Sequence, residues 1–184
     1  MSDVKTKATK AIAGAPGADL SPTDMDRIDA LRYLVIATER EGARAMAKAL
    51  RRVGLNGAQR EVLEVARQHS PLTLAELGRL LVCQVGSPSR LVEGLVRRGL
   101  IDRRVDSGDK RVVMLSLTPA GEQALDQVYP INAIRKNIAR QLTTEQIDQL
   151  IGLLAPIVAN TPSGIAVAAR FPAVWSTSTA RAPA

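Results

Sequence analysis

One cysteine, one histidine and four aromatic residues are what this 184-residue chain has least of, and each scarcity removes a class of function. With Phe171 and Trp175 as its only Phe and Trp, the chain lacks the rings on which single-stranded nucleic-acid modules stack bases. Cys83 alone forms neither an intrachain disulfide nor a Cys-rich zinc site, and His69 alone is no multi-His metal set, so no metal and no cofactor are expected. His69 stands beside Ser70 and Pro71 at a helix end, where an imidazole is a surface or capping group. There is no GxGxxG and no phosphate-loop lysine. The chain is read as a non-enzyme.

No apolar run approaches the ~18 residues of a membrane span, and MSDVKTKATKAIAGAPGADL has basic residues without the apolar core of an export signal. No membrane partner is expected, and the low thiol content fits the cytoplasm. What is present is an ordinary globular mix, 46% apolar and 23% charged, with a basic balance of 25 Lys plus Arg against 18 Asp plus Glu. That is enough apolar material for one real core.

Residues 1–20 read as a mobile basic arm carrying Lys5, Lys7 and Lys10. Ser21-Pro22-Thr23-Asp24 starts a helix, and nothing before Gly54 stops it firmly. The 21–54 segment would span roughly 40 Å or more at ~1.5 Å per residue, longer than a small lobe requires, which predicts a dimerisation helix. Asn56 with Gln59 caps a second helix along Val62 and Val65, and Thr73 with Glu76 forms a capping box that opens a third at Leu74. Cys83, among Leu80, Leu81, Val82 and Val85, is expected as an inert buried thiol.

Ser87-Pro88 marks another helix start, with Leu91, Val92, Leu95 and Val96 at helical spacing and Gly99 as its stop. Two short helices across a tight Gly-containing turn form a helix-turn-helix, whose second helix can enter a DNA major groove. Ile101 to Leu117 reads as a hairpin, or wing, around an Asp-Ser-Gly-Asp turn, its tip bearing Lys110 and Arg111. Residues 55–117 are thus the predicted winged lobe. Between Arg90 and Arg111 stand seven basic residues against four acids, a charge balance suited to phosphates.

Thr118-Pro119 starts a further helix, which Pro130 should interrupt, and Thr143 with Gln146 caps another that runs to about Ala159. Residues 118–159 are read as C-terminal dimerisation helices, because Leu150, Ile151, Leu153, Leu154, Ile157 and Val158 are too many for one narrow buried stripe. From Asn160 to Ala184 the Ala, Thr, Ser and Pro content predicts a largely mobile tail, with Phe171 and Trp175 as its possible anchors. The fold class is mainly α with a small β-wing: a winged helix-turn-helix lobe plus a helical dimerisation region.

The stretches PLTLAELGRLL and SRLVEGLVRRGLIDRRVDSGDKRVVMLSLTPAGEQAL, in this order, resemble the multiple-antibiotic-resistance regulator (MarR) family of bacterial winged-helix repressors and activators. The resemblance runs from Leu55 to about Ile157, and its specific part is the succession RLV-x-x-LV-x-x-GLI-x-R, a wing with D-x-R, and LTPAG. It implies a homodimer on double-stranded DNA, reading a roughly palindromic site, with a small-molecule effector in many members. Half-sites ~34 Å apart would meet the two lobes. By position, Gln84, Ser87, Ser89, Arg90 and Arg97 would serve the recognition helix, while Arg103, Asp109, Lys110 and Arg111 would serve the wing. Arg111 would reach the minor groove with Asp109 as its orienting acid. Two departures are Pro88, where members carry a small or β-branched residue, and Lys110, which replaces the first of two paired arginines and loses bidentate geometry. Arg40, Arg44 or His69 could meet an anionic effector. Peroxide sensing is not implied, because Cys83 lies outside the first helix. Repression is expected ahead of activation. The alternative function is a winged-helix protein-interaction or dimerisation module that binds no DNA.

Overall fold

The computed structural model describes residues 21–82, 87–128 and 133–179. Cys83, Gln84 and Pro130 lie outside the described residues, as does the 1–20 arm. The described residues up to Thr38 form one compact unit and those from Glu39 onward another. The first helix, α1 (Pro22–Arg52), contributes to both.

In the first unit, Ser21 caps α1: its Oγ accepts from the Asp24 backbone N–H at 3.3 Å and donates to Asp24 Oδ2 at 2.7 Å. Arg27 and Arg32 then pair with Asp24 and Asp29 one turn back. The apolar positions of this stretch remain open, with Met25, Ile28, Leu31, Leu34 and Val35 all exposed.

The second unit holds the core. The last turns of α1 bury Met46, Ala49 and Leu50, and α2 (Gly57–His69), capped by the reciprocal Asn56 and Gln59 contacts, buries Val62, Leu63 and Val65 completely. Strand β1 (Leu72–Thr73) leads into α3 (Leu74–Leu80), whose Leu77 joins the same core. Helix α4 (Pro88–Arg97) adds Val92 and Leu95. Strands β2 (Ile101–Val105) and β3 (Val113–Leu117) pair antiparallel from Ile101 opposite Leu117 to Val105 opposite Val113, the predicted wing. β1 pairs with the far edge of β3, giving the order β1-β3-β2. That third strand was not predicted, because two residues are too few to show strand alternation.

Helix α5 (Pro119–Val128) follows, and its Ala124, Leu125 and Val128 lie in the same core as α2. The sequence grouped this segment with the dimerisation helices; within the chain it packs on the lobe. Gly121 explains the close fit, since a Cβ there would lie 2.3 Å from the Leu100 carbonyl oxygen. Helices α6 (Ala133–Gln141) and α7 (Thr144–Val158) come next, α7 opened by the predicted Thr143 and Gln146 capping box.

The expected tail from Asn160 is corrected by the structure, because it forms α8 (Pro162–Arg170) and α9 (Pro172–Thr179). Thr161 caps α8 through the Gly164 N–H at 3.1 Å, with Pro162 in the first turn. Small side chains that look like linker composition here permit close packing: Ala166 is 1% exposed, and a Cβ on Gly164 would lie 1.9 Å from the Val158 carbonyl oxygen. α8 packs on α3, and α9 packs on α7.

Candidate nucleic-acid interface

Helix α4 separates its chemistry by face. Val92 and Leu95 point into the core, while Arg90, Glu93 and Arg97, spaced three and four residues apart, are exposed on one side. Pro88 does not disturb the start. It occupies the first turn of a regular helix whose N-cap is Ser87, where its missing N–H costs no hydrogen bond. Ser87 makes no side-chain capping bond; its hydroxyl lies 2.6 Å from the Ser89 hydroxyl. The helix therefore begins with two hydroxyls and the Arg90 guanidinium, groups that can donate to phosphates or base edges.

Gly99, at φ +67°, turns the chain out of α4 in the left-handed region open to glycine. Leu100 and Ile101 then anchor the wing in the core. Beyond them Arg103, Arg104, Lys110 and Arg111 are exposed. The tip is built by its aspartates: Asp106 Oδ1 accepts from the N–H groups of Gly108 at 2.8 Å and Asp109 at 3.0 Å. Asp109 Oδ1 accepts from the backbone N–H of Arg111 at 2.9 Å. The orienting contact expected between these two residues is therefore made to the backbone, which shapes the turn rather than aiming the guanidinium. Arg104 is paired with Asp102 of the same strand.

Not every basic residue of the segment belongs to this surface. Arg98 turns away, donating to the carbonyl oxygens of Gly54 at 2.7 Å and Val53 at 2.8 Å, just beyond the C-terminus of α1. It satisfies carbonyls left open by the helix end. Arg67 of α2 similarly bridges to Glu122 and Asp126 of α5, at 3.1 and 2.8 Å. Sequence spacing carries no sign of either contact.

Glu76, which holds the first helix of the helix-turn-helix, is kept below the usual carboxylate range by the Thr73 backbone N–H and then by the Thr73 hydroxyl. Among the described residues no group of three or more His, Cys, Asp and Glu side chains is placed to hold a metal ion, and no helix is long and apolar enough to cross a membrane.

Known proteins share this arrangement. A family described as a winged helix DNA-binding domain matches residues 55–121, from the start of α2 into α5. The chain is 38% identical over 104 residues to YkoM, an uncharacterised helix-turn-helix-type transcriptional regulator of Bacillus subtilis (strain 168), a match covering 55% of this chain and 66% of that relative, just under two thirds of its length. Among solved structures, a MarR-family transcriptional regulator from Silicibacter pomeroyi superposes with a TM-score of 0.61 at 26% identity, covering 71% of this chain and 89% of that one. A mutant MarR from Escherichia coli, complexed with operator DNA, shares the fold with a TM-score of 0.60 at 24% identity, over 73% of this chain and 97% of its own.

Proposed function

We propose that the chain is a winged-helix regulator of the MarR type, which its match to a winged helix DNA-binding domain and its likeness to a MarR-family structure support, and that it is a homodimeric, sequence-specific, ligand-responsive repressor of the cytoplasm. In this reading α4 enters the major groove of a palindromic operator, with Ser87, Ser89 and Arg90 at base edges and Arg97 on phosphate. The wing holds the adjacent minor groove through Lys110 and Arg111, with Arg103 along its flank. Gln84, outside the described residues, remains assigned to the same helix-turn-helix surface by position. The observation that carries the reading is the exposed Arg90, Glu93 and Arg97 face of α4, rooted in the core by Leu95 and followed directly by a cationic wing.

Homodimerisation is supported by the apolar side chains left open in α1 and in α7, where Leu153 is 70% and Ile157 67% exposed. Exposed apolar surface on that scale marks an interaction face. A second copy, with the same faces, is the partner proposed.

The test is fluorescence anisotropy of a labelled duplex from upstream of the protein's own gene, against a shuffled duplex, across a salt series. Selective binding that weakens steeply between ~50 and ~200 mM salt supports the regulator, because phosphate contacts release counterions. Absence of binding to either duplex at low salt favours the protein-interaction module.

A further inference from the structure

A buried charge cluster lies outside the surface assigned to DNA. Arg170, the last residue of α8, has a side chain only 10% exposed, and it faces Glu61 and Glu64 of α2, whose side chains are 6% and 9% exposed. Its Nη1 donates to Glu61 Oε1 at 3.0 Å, and Nη2 lies 3.9 Å from Glu64 Oε2. Arg60 closes the group by donating to Glu64 Oε1 at 2.8 Å. Two guanidiniums and two carboxylates neutralise one another, the condition for holding charge away from water.

The cluster has a second output. Glu61 Oε1 also accepts from the backbone N–H of Val82 at 2.8 Å, while Ser163 Oγ of α8 lies 3.5 Å from the Val82 carbonyl oxygen, at the limit of a hydrogen bond. Val82 follows α3 and is the last described residue before Ser87, the cap of α4. Both backbone polar groups at the exit of the first helix of the helix-turn-helix are thus addressed from outside it, one directly by α8 and the other by a carboxylate that α8 neutralises. A carboxylate sharing its oxygen between a guanidinium and an amide forms charge-assisted bonds to both, which fixes its direction. Without the guanidinium, α8 no longer compensates the buried carboxylate, and its hold on the amide is weakened.

We propose that α8 is a clasp on the helix-turn-helix and that Arg170 is a positioning residue for DNA recognition. It holds Glu61 on the Val82 N–H and thereby fixes the C-terminal end of α3, the first helix of the helix-turn-helix. The proposal rests on α4 being the recognition helix, as argued above. Arg170 touches no DNA in this arrangement, so it governs selectivity rather than overall charge attraction.

Two full-chain variants test it from different sides. Arg170→Met removes the guanidinium at the contact, and Gly164→Ala places a Cβ 1.9 Å from the Val158 carbonyl oxygen and so displaces α8 from its base. Each variant is compared with the unmodified chain by anisotropy on the upstream and shuffled duplexes, and by amide hydrogen exchange at Val82. The expected result is a loss of about tenfold in the preference for the upstream duplex, the scale of one lost base contact, with the salt slope unchanged and Val82 exchange accelerated. Arg170→Lys, which keeps the charge but not the fork, should recover part of the preference. Unchanged preference in both variants overturns the positioning role, even where Val82 exchange rises. If the unmodified chain itself prefers neither duplex, the DNA reading is what fails, and unaltered Val82 exchange in either variant overturns the clasp as well. Should Arg170→Met not fold, Gly164→Ala carries the same readouts.

Discussion

Helices α4 and α7 use apolar residues in opposite ways. α4 carries few, yet Leu95 is fully buried and Val92 is 5% exposed, while its polar residues face outward. α7 is richer in Leu and Ile, yet Leu153 and Ile157 are 70% and 67% exposed, and Ala155 is its buried residue. Apolar content therefore does not set burial. What sets it is whether the chain supplies a surface at that face: α4 has α2 and β2 beneath it, whereas among the described residues Leu153 and Ile157 of α7 are left open. We read the first helix as a part of the lobe that must be held still and the second as half of a contact still to be made.

The comparison can be broken hardest at Leu95. Leu95→Ala should destabilise the lobe by about 2–5 kcal/mol, measured by urea unfolding, and abolish selective DNA binding with it. A loss below 1 kcal/mol would mean that α4 is not rooted in the core as described. On α7 the matching change is Leu153→Asp with Ile157→Asp. It should weaken self-association about a hundredfold, roughly 2.7 kcal/mol, in sedimentation velocity while leaving the lobe's unfolding cooperative. Unaltered self-association would assign the second copy's contact to another surface.

On the DNA side, Arg111→Ala should lower affinity for the upstream and shuffled duplexes alike and reduce the salt slope by about one, while Ser89→Ala or Arg90→Ala should also change sequence preference. Equal binding by all three variants and the unmodified chain would remove DNA from the function. The smaller effect is at the cap of α3. Thr73→Ala should cost about 1 kcal/mol of stability at neutral pH. The Glu76 carboxyl is held below its ordinary range in the folded chain, so its contribution is present above that range and is lost as pH falls through the lowered folded value. Glu76→Gln should flatten that acid limb in thermal melts recorded between neutral and acid pH, and an unaltered limb would place the acid sensitivity elsewhere.

Much of the fold was legible because its signals are short-range. The Asn56 and Gln59, Thr73 and Glu76, and Thr143 and Gln146 pairs each lie three residues apart, and all three form the reciprocal caps read from sequence. The wing was legible for the same reason, its strands joined by a turn of Asp and Gly. Helices α8 and α9 were not: their Ala, Ser, Thr and Pro content is that of a linker until α3 and α7 are there to pack against. Basic residues misled in one place, since Arg98 counted towards a cationic face and is spent on carbonyls at the end of α1.

Where helices begin, where they stop and which of their faces are apolar depends on residues within about four positions of each other, and these were written in the order of the amino acids. The partner of a charged side chain depends on which segments meet. Arg170 and Glu61 stand 109 positions apart and their contact at 3.0 Å exists only once α8 has closed on the lobe. Burial then decides what their charges do, because in a dry interior each must find the other, whereas in the extended chain water satisfies both.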